Sequence, residues 1–406
     1  MSLASVKKLE ATYLLGIYNR YEVLIDRGRG AYLFDRSNRR YLDLMAGIGV
    51  NALGYNDPRI LRVLRKQIKK PIHLSNLLYH EYQCRLGEKL VQVSGLDRAF
   101  FTNSGTESVE GCLKFARVYA NRHVERRSER KYRVLALEGA FHGRTLGSLS
   151  ATDKQKYREP FEPLMPGFEF VRFNDIADLE SKFSDDVCAV IFETMQGEAG
   201  VRPISEDYYR RARQLTRDAG CVLICDEIQC GMGRTGRWFA FHKFADPSQG
   251  EELPDLVSLA KPLGLGIPLG AVLMKEDLAR TIEVGTHGTT FGGGPLACRL
   301  SLELFRIFEE DGILEHVVEV GRHFRNRLEE LMDIRIVEEV RGEGLMLALQ
   351  LQVAGQPIVK KLLAEGFIVN CTRERILRFL PPLIITPKQV DRFVKVLRSL
   401  LENNNA

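Results

Sequence analysis

The chain has 406 residues, of which 45% are apolar and 27% charged, and a formal net charge of +5. That length is more than one ordinary core and calls for about two domains. The charge is too mild for a nucleic-acid binder, no apolar run reaches the length of a membrane span, and the eight scattered cysteines form no C-x-x-C pair, so no metal site is expected. The N-terminus, with Lys7, Lys8 and Glu10, has no signal-peptide core, and a reducing cytoplasm is the expected compartment.

The first 45 residues carry two short strand signals, Y-E-V-L-I-D-R-G and A-Y-L-F-D. The middle then alternates short apolar runs with helical patterns. Strands are expected at 98–102, 133–138, 168–173, 187–193, 221–227, 256–260 and 270–274. Several are apolar throughout, as in a parallel-rich sheet covered on both faces. Helices are expected over Glu107–Arg126, after the capping run N-S-G-T-E, and over Glu206–Ala219, capped by Ser205. The basic run Arg122–Arg133 includes two glutamates and reads as a solvated helix end or loop.

From about Pro295 the pattern changes. A long helical stretch, Leu296 to Met332, leads to V-E-E-V-R-G-E-G-L-M-L-A-L-Q-L, which is strand-like. A helix, a strand pair around F-I-V-N and I-L-R-F-L, and an amphipathic helix, Pro387–Leu401, complete the chain. The expected fold is α/β. A large domain with a mostly parallel central sheet spans 46–294, a small α+β domain spans 295–406, and the segment 1–45 joins the small domain.

Ligands of an open α/β sheet bind past the carboxyl ends of its strands, so the residues following each strand matter most. After 98–102 comes T-N-S-G-T-E, where a helix N-terminus with Ser104 and Thr106 can cradle a phosphate; the plain alternative is an ordinary N-cap. After 133–138 comes G-A-F-H-G-R-T. Its Phe141 can stack on an aromatic ring and its Arg144 can clamp a carboxylate, or both can be ordinary loop residues. After 187–193 comes E-T-M-Q-G-E-A-G, whose Glu198 can counter a substrate-binding arginine. After 221–225 comes D-E-I-Q-C-G-M-G-R-T-G, and an acid ending a wholly apolar strand needs a cationic partner. Its glycine loop lacks the lysine of a nucleotide-binding P-loop. After 256–260 comes Lys261, a cation at the end of a buried strand, which can lose its proton and act as a nucleophile. A phosphate cradle, a stacking aromatic with an arginine, two acids and a lysine are together what pyridoxal 5′-phosphate requires.

The motifs N-S-G-T-E, F-H-G-R-T-L-G-S-L-S-A-T, M-Q-G-E-A-G-V, D-E-I-Q-C-G-M-G-R-T-G, S-L-A-K, T-H-G-T-T-F-G-G-G-P-L-A and L-R-F-L-P-P-L follow in this order from about Tyr18 to Leu383. In them the chain resembles the class III, fold-type I, pyridoxal-phosphate aminotransferases, and most of all their acetylornithine/ornithine branch. The resemblance implies that Lys261 carries the cofactor as a Schiff base and that Asp226 pairs with its ring nitrogen. It implies that Gly105 and Thr106, with Ser104, hold the phosphate, that Phe141 stacks on the ring, and that Gln229 meets the ring hydroxyl. Glu227 is expected among the cofactor contacts. Thr290 would reach the phosphate of a neighbouring subunit, with Thr289 near substrate, which implies a homodimer with shared sites. Arg144 would take the α-carboxylate of an acylated ornithine and Arg378 that of glutamate or 2-oxoglutarate. Glu198 would neutralise Arg378 when the other substrate enters, and Tyr18 would line the substrate pocket.

The implied reaction moves the δ-amine of N-acetylornithine to 2-oxoglutarate, of the arginine-biosynthetic type. Ornithine, succinylornithine, 4-aminobutyrate and acylated lysine are alternative donors. Arg378 and Glu198 argue against an aminomutase of the glutamate-semialdehyde type, which needs no external oxo-acid. Intact Lys261, Asp226 and Phe141 argue against a non-catalytic relative. The chain departs from the family pattern at E-T-M-Q-G-E and E-G-A-F-H-G, at Val109 and Gly294, and at Pro262, which biases Lys261 toward extended backbone.

Overall fold

A computed structural model describes residues 1–403 apart from 249 and 251. Three short strands come first: β1 (Ile25–Arg29), β2 (Tyr32–Asp35) and β3 (Arg40–Asp43). The central region contributes β4 (Arg98–Thr102), β5 (Arg133–Leu137), β6 (Phe168–Val171) and β7 (Val187–Glu193). A two-residue pair follows, β8 (Met195–Gln196) with β9 (Arg202–Pro203), and then β10 (Val222–Asp226), β11 (Leu256–Leu259) and β12 (Gly270–Met274). The last third supplies β13 (Val337–Glu343), β14 (Met346–Leu351), β15 (Phe367–Ile368), β16 (Asn370–Thr372) and β17 (Ile376–Phe379).

Seven strands build the main sheet in the order β4-β12-β11-β10-β7-β5-β6. Strand β12 is antiparallel to both neighbours, β4 and β11, and the remaining pairs are parallel. Every residue of β7, β10, β11 and β12 is buried, the continuous apolar signature of strands covered on both faces. Strands β4, β5, β7, β10 and β11 share one direction, so their carboxyl ends open on the same edge.

Helix Gly105–Ala120 starts two residues earlier than the pattern suggested, because Ser104 Oγ accepts the Glu107 N–H as its cap. It ends at Ala120 rather than running into the basic segment, consistent with Arg122–Arg133 as helix end and loop. Val109 is wholly buried among Cys112, Ile224 and Val272, so an apolar side chain suits that departure. The expected single helix from Leu296 to Met332 is two helices, Pro295–Glu310 and Ile313–Glu329. Gly312 between them, at φ 58°, turns the chain. Gly294 caps the first with ordinary backbone, φ −61°, and supplies no side-chain bond.

The C-terminal strands form a second sheet, β13-β14-β17-β16. Strand β15 instead pairs in parallel with β3, tying the C-terminal third to the N-terminal strands. Arg234, in the glycine loop after β10, links the two sheets: its guanidinium donates to the carbonyls of Leu345 and Pro381. Among the described residues no helix is long and apolar enough to cross a membrane.

Candidate active site

The carboxyl ends of the main-sheet strands surround a cavity of about 490 Å3. Ser104, Gly105, Thr106, Phe141, Arg144, Asp226, Gln229 and Lys261 all line it, although they come from four separate strand ends.

Lys261 follows β11 and begins a tight turn over Lys261–Gly264. Its backbone is not extended, as Pro262 had suggested, but left-handed, at φ 46°. The chain must reverse between β11 and antiparallel β12 within about ten residues, and this bend overrides the local preference. A left-handed lysine costs on the order of 1–3 kcal/mol, a strain that active sites often hold. Among the described residues Lys261 Nζ makes no hydrogen bond or ion pair. Burial pulls its amine below the usual value; Asp226 opposes this and Arg378 adds to it.

Asp226 closes β10 and is almost wholly buried. Its Oδ2 lies 2.7 Å from His142 Nδ1, and its Oδ1 accepts from Ser258 Oγ at 3.0 Å and from the Ile228 N–H at 3.1 Å. Among the described residues His142 Nε2 is buried without a partner. His142 stands inside the F-H-G motif next to Phe141, which was the one sequence signal for a role it was not assigned. Glu193 was missed too. Its carboxylate accepts the N–H groups of Phe141 and Gly197, both at 2.9 Å, and so anchors two walls of the cavity. Burial pushes its carboxyl up to about 7, with His142 pulling it down and Asp226 adding to the rise.

Close packing shapes the end of the cavity beside Ser104. A Cβ on Gly105 would meet Ile228 at 2.9 Å, and one on Gly143 would meet the hydroxyls of Ser148 and Thr106 at 2.4 Å. Thr106 Oγ1 lies 2.6 Å from Ser148 Oγ and 2.8 Å from Thr145 Oγ1. Helix N-terminal amides, hydroxyls and bare glycines together make an anion cradle.

Two arginines at or next to the cavity are in different states. Arg144 has no carboxylate partner among the described residues. Its guanidinium lies over Tyr157 at 3.7 Å and over Phe141 at 5.6 Å from the ring centroids. Arg378, at 1% exposure, is one contact behind the cavity wall. It donates to Glu198 Oε1 at 2.7 Å, to Gln229 Oε1 at 3.1 Å and to Asn370 Oδ1 at 2.7 and 3.1 Å. Burial works to raise the Glu198 carboxyl, but Arg378 outweighs it and holds the group below its ordinary value.

Other expected residues lie elsewhere. Glu227 does not line the cavity. The residue after Asp226 points to the other side of the strand end, where Thr194 Oγ1 and the N–H groups of Ala240 and Phe241 bind its carboxylate at 2.6–3.0 Å. Burial pushes that carboxyl up to about 7 against those bonds. Tyr18 is 69% exposed and lines no part of the cavity. Thr289 and Thr290 line a different, open cleft of about 870 Å3 with Asn76 and Phe101. Thr289 Oγ1 does accept from Asn103 Nδ2, at 3.1 Å, and Asn103 lines the main cavity.

Residues 17–401 match the family model described as aminotransferase class-III. The chain belongs to the class III aminotransferases. These enzymes use pyridoxal 5′-phosphate and act on small amino acids and 2-oxo acids. This aminotransferase is 45% identical over 390 residues to the acetylornithine aminotransferase of Methanocaldococcus jannaschii, covering 96% of each chain. Its fold is similar to that of the ornithine aminotransferase from Toxoplasma gondii, with a TM-score of 0.93, 28% identity, and coverage of 100% of this chain and 96% of that one. The N-acetylornithine aminotransferase from Stenotrophomonas maltophilia gives a TM-score of 0.82 at 32% identity, with 98% of each chain covered. The residues fit the family's cofactor: an unpaired lysine, a buried acid, a half-buried aromatic and an anion cradle face one cavity of suitable size.

Proposed function

We propose that this class III aminotransferase transfers the δ-amine of N-acetylornithine to 2-oxoglutarate, giving N-acetylglutamate semialdehyde and glutamate. The observation that carries the reading is the contrast between the two arginines. Arg144 is open to one substrate carboxylate, while Arg378 is held by an internal carboxylate that a second substrate carboxylate can replace. A donor with one carboxylate and a distal amine needs Arg144 alone; glutamate needs both. The acetylornithine aminotransferase named above supports the donor assignment.

The bound cofactor supplies an electrophilic carbon and a sink for the electrons released at the substrate carbon. Lys261 would hold it covalently, Asp226 would hold its protonated ring nitrogen, and Ser104, Gly105 and Thr106 its phosphate. Phe141 would cover the ring, and Gln229 would meet its hydroxyl. The Lys261 amine, shifted toward neutrality by burial, would take the proton from the donor carbon bearing the transferred amine and, in the acceptor half-reaction, deliver one to the carbon that becomes the α-carbon of glutamate. His142 keeps Asp226 oriented, and Ser258 fixes its other oxygen.

We further propose a homodimer. Leu77 and Tyr79, at 92% and 100% exposure, and Phe291 lie near the cleft of Thr289 and Thr290. Such a surface suits burial against a second copy, with Thr290 serving the partner's phosphate site. The pairing of β15 with β3 supports reading 1–45 with the small domain of 295–406, around a cofactor domain of 46–294. The unpaired state of all eight cysteines supports a cytoplasmic setting.

The absorbance spectrum of the purified enzyme tests the reaction. N-acetylornithine is expected to convert the cofactor band, and 2-oxoglutarate to restore it. A band that ignores N-acetylornithine but responds to ornithine or 4-aminobutyrate would reassign the donor.

A further inference from the structure

We infer that Asn370 is a specificity-determining residue: its neutral amide oxygen fixes the Arg378 guanidinium without cancelling the charge that a dicarboxylate needs. The inference rests on the reading of Arg378 given under Proposed function.

Asn370 and Arg378 are direct cross-strand partners on β16 and β17. One amide oxygen, Asn370 Oδ1, accepts from both Nε and Nη2 of the arginine, at 3.1 and 2.7 Å. That is the edge on which a carboxylate makes its strongest forked pair. Arginine only donates, so the oxygen of Asn370 must face it and the amide nitrogen must face away. Tyr21 is the neighbour on that side, and its hydroxyl donates to the Val369 carbonyl at 2.8 Å.

The opposite edge differs. Nη1 meets Gln229 and the carboxylate of Glu198, whose side chain is 33% exposed and free to leave. Arg378 thus has one fixed neutral partner and one displaceable anionic partner. When Glu198 withdraws, the guanidinium stays in place and its full charge becomes available. A carboxylate at position 370 would neutralise it in every state. A small apolar side chain there would free it to follow Glu198, but would leave its charge intact.

The test titrates the holoenzyme by calorimetry with two unreactive ligands. Glutarate carries two carboxylates and no amine. Nα-acetylnorvaline is the proposed donor without its δ-amine. Asn370→Asp, an isosteric change, is expected to weaken glutarate by about tenfold or more and Nα-acetylnorvaline by less than about twofold. Asn370→Ala is expected to weaken glutarate by about threefold, less than Asn370→Asp. That order separates charge from shape, because a purely structural role would make Ala the worse substitution. Equal weakening of both ligands by Asn370→Asp, or none, would overturn the inference. Arg378→Ala is the companion: unchanged glutarate binding there would overturn the reading of Arg378 and this inference with it. Loss of glutarate in Arg378→Ala with none in Asn370→Asp would overturn the inference alone.

Discussion

Replacing Glu198 with Gln isolates the exchange of partners at Arg378. The carboxylate lies 2.7 Å from a guanidinium that is nearly inaccessible, while the glutamate itself is a third exposed. Hydrogen bonds to charged groups contribute about 1.5–3 kcal/mol, and the solvated side of this pair puts it near the lower end. Gln keeps an acceptor oxygen and loses the charge. About 1.4 kcal/mol of competition against an incoming dicarboxylate then disappears, which is a factor of about ten in affinity. The KM for 2-oxoglutarate is expected to fall about tenfold, by the same arithmetic. The N-acetylornithine half-reaction is expected to slow by a similar factor, because the approaching amine then meets an uncompensated guanidinium. Rapid mixing with each substrate, read through the cofactor absorbance, measures the two half-reactions separately. Arg378 keeps Glu198 ionised through the neutral range, so the contrast should not vary with pH there. Slower reaction with both substrates to the same degree would refute the exchange.

Gly197→Ala would put a Cβ 1.9 Å from Gln229 Oε1 and force that side chain off Arg378. A KM for glutamate raised about threefold to tenfold is expected, with thermal stability lowered by about 1–3 kcal/mol. His142→Phe removes a partner from the buried Asp226 carboxylate, an interaction of about 1.5–3 kcal/mol. Weaker cofactor retention on dialysis and a clear fall in kcat should follow; full retention would remove His142 from the site. His242 is half-buried against the Ser94 carbonyl, and desolvation lowers its pKa to about 4. The unfolded chain therefore binds a proton between about pH 6.5 and 4 that the folded chain refuses, so stability is complete above that window and is lost as pH falls through it, by on the order of 3 kcal/mol. His242→Gln, whose amide nitrogen can stand where Nε2 donates to Ser94, should flatten that acid limb in urea unfolding and leave stability at pH 8 nearly unchanged.

Much of this was legible because charge is conspicuous at the end of an apolar strand. Asp226 and Lys261 could be picked out for that reason alone, and strands β4, β7 and β12 begin and end where their apolar runs do. Side-chain direction was harder to read. Glu227 stands next to Asp226 in sequence, yet alternation sends it to the opposite side, into a nest of Thr194 and backbone amides. The bend at Lys261 was hidden because it comes from the return of β12 alongside β11, a tertiary constraint that outweighs Pro262. Asn370 carried no signal of its own. Its role depends on the β16–β17 register, which places it opposite an arginine eight positions later. Tyr157 likewise becomes visible only when the chain folds it beneath Arg144.

The anchoring of the Gly197 N–H on Glu193 sets the pace of the site. With the backbone just before Glu198 tied to a buried carboxylate, the glutamate can leave Arg378 by rotating its side chain, and the loop need not open. Exposed side chains change rotamer in picoseconds to nanoseconds, whereas loops rearrange in nanoseconds to microseconds. Exchange of Arg378 between Glu198 and a substrate carboxylate is then far faster than turnover of about 1–1000 per second, so it is a rapid pre-equilibrium that does not limit the rate.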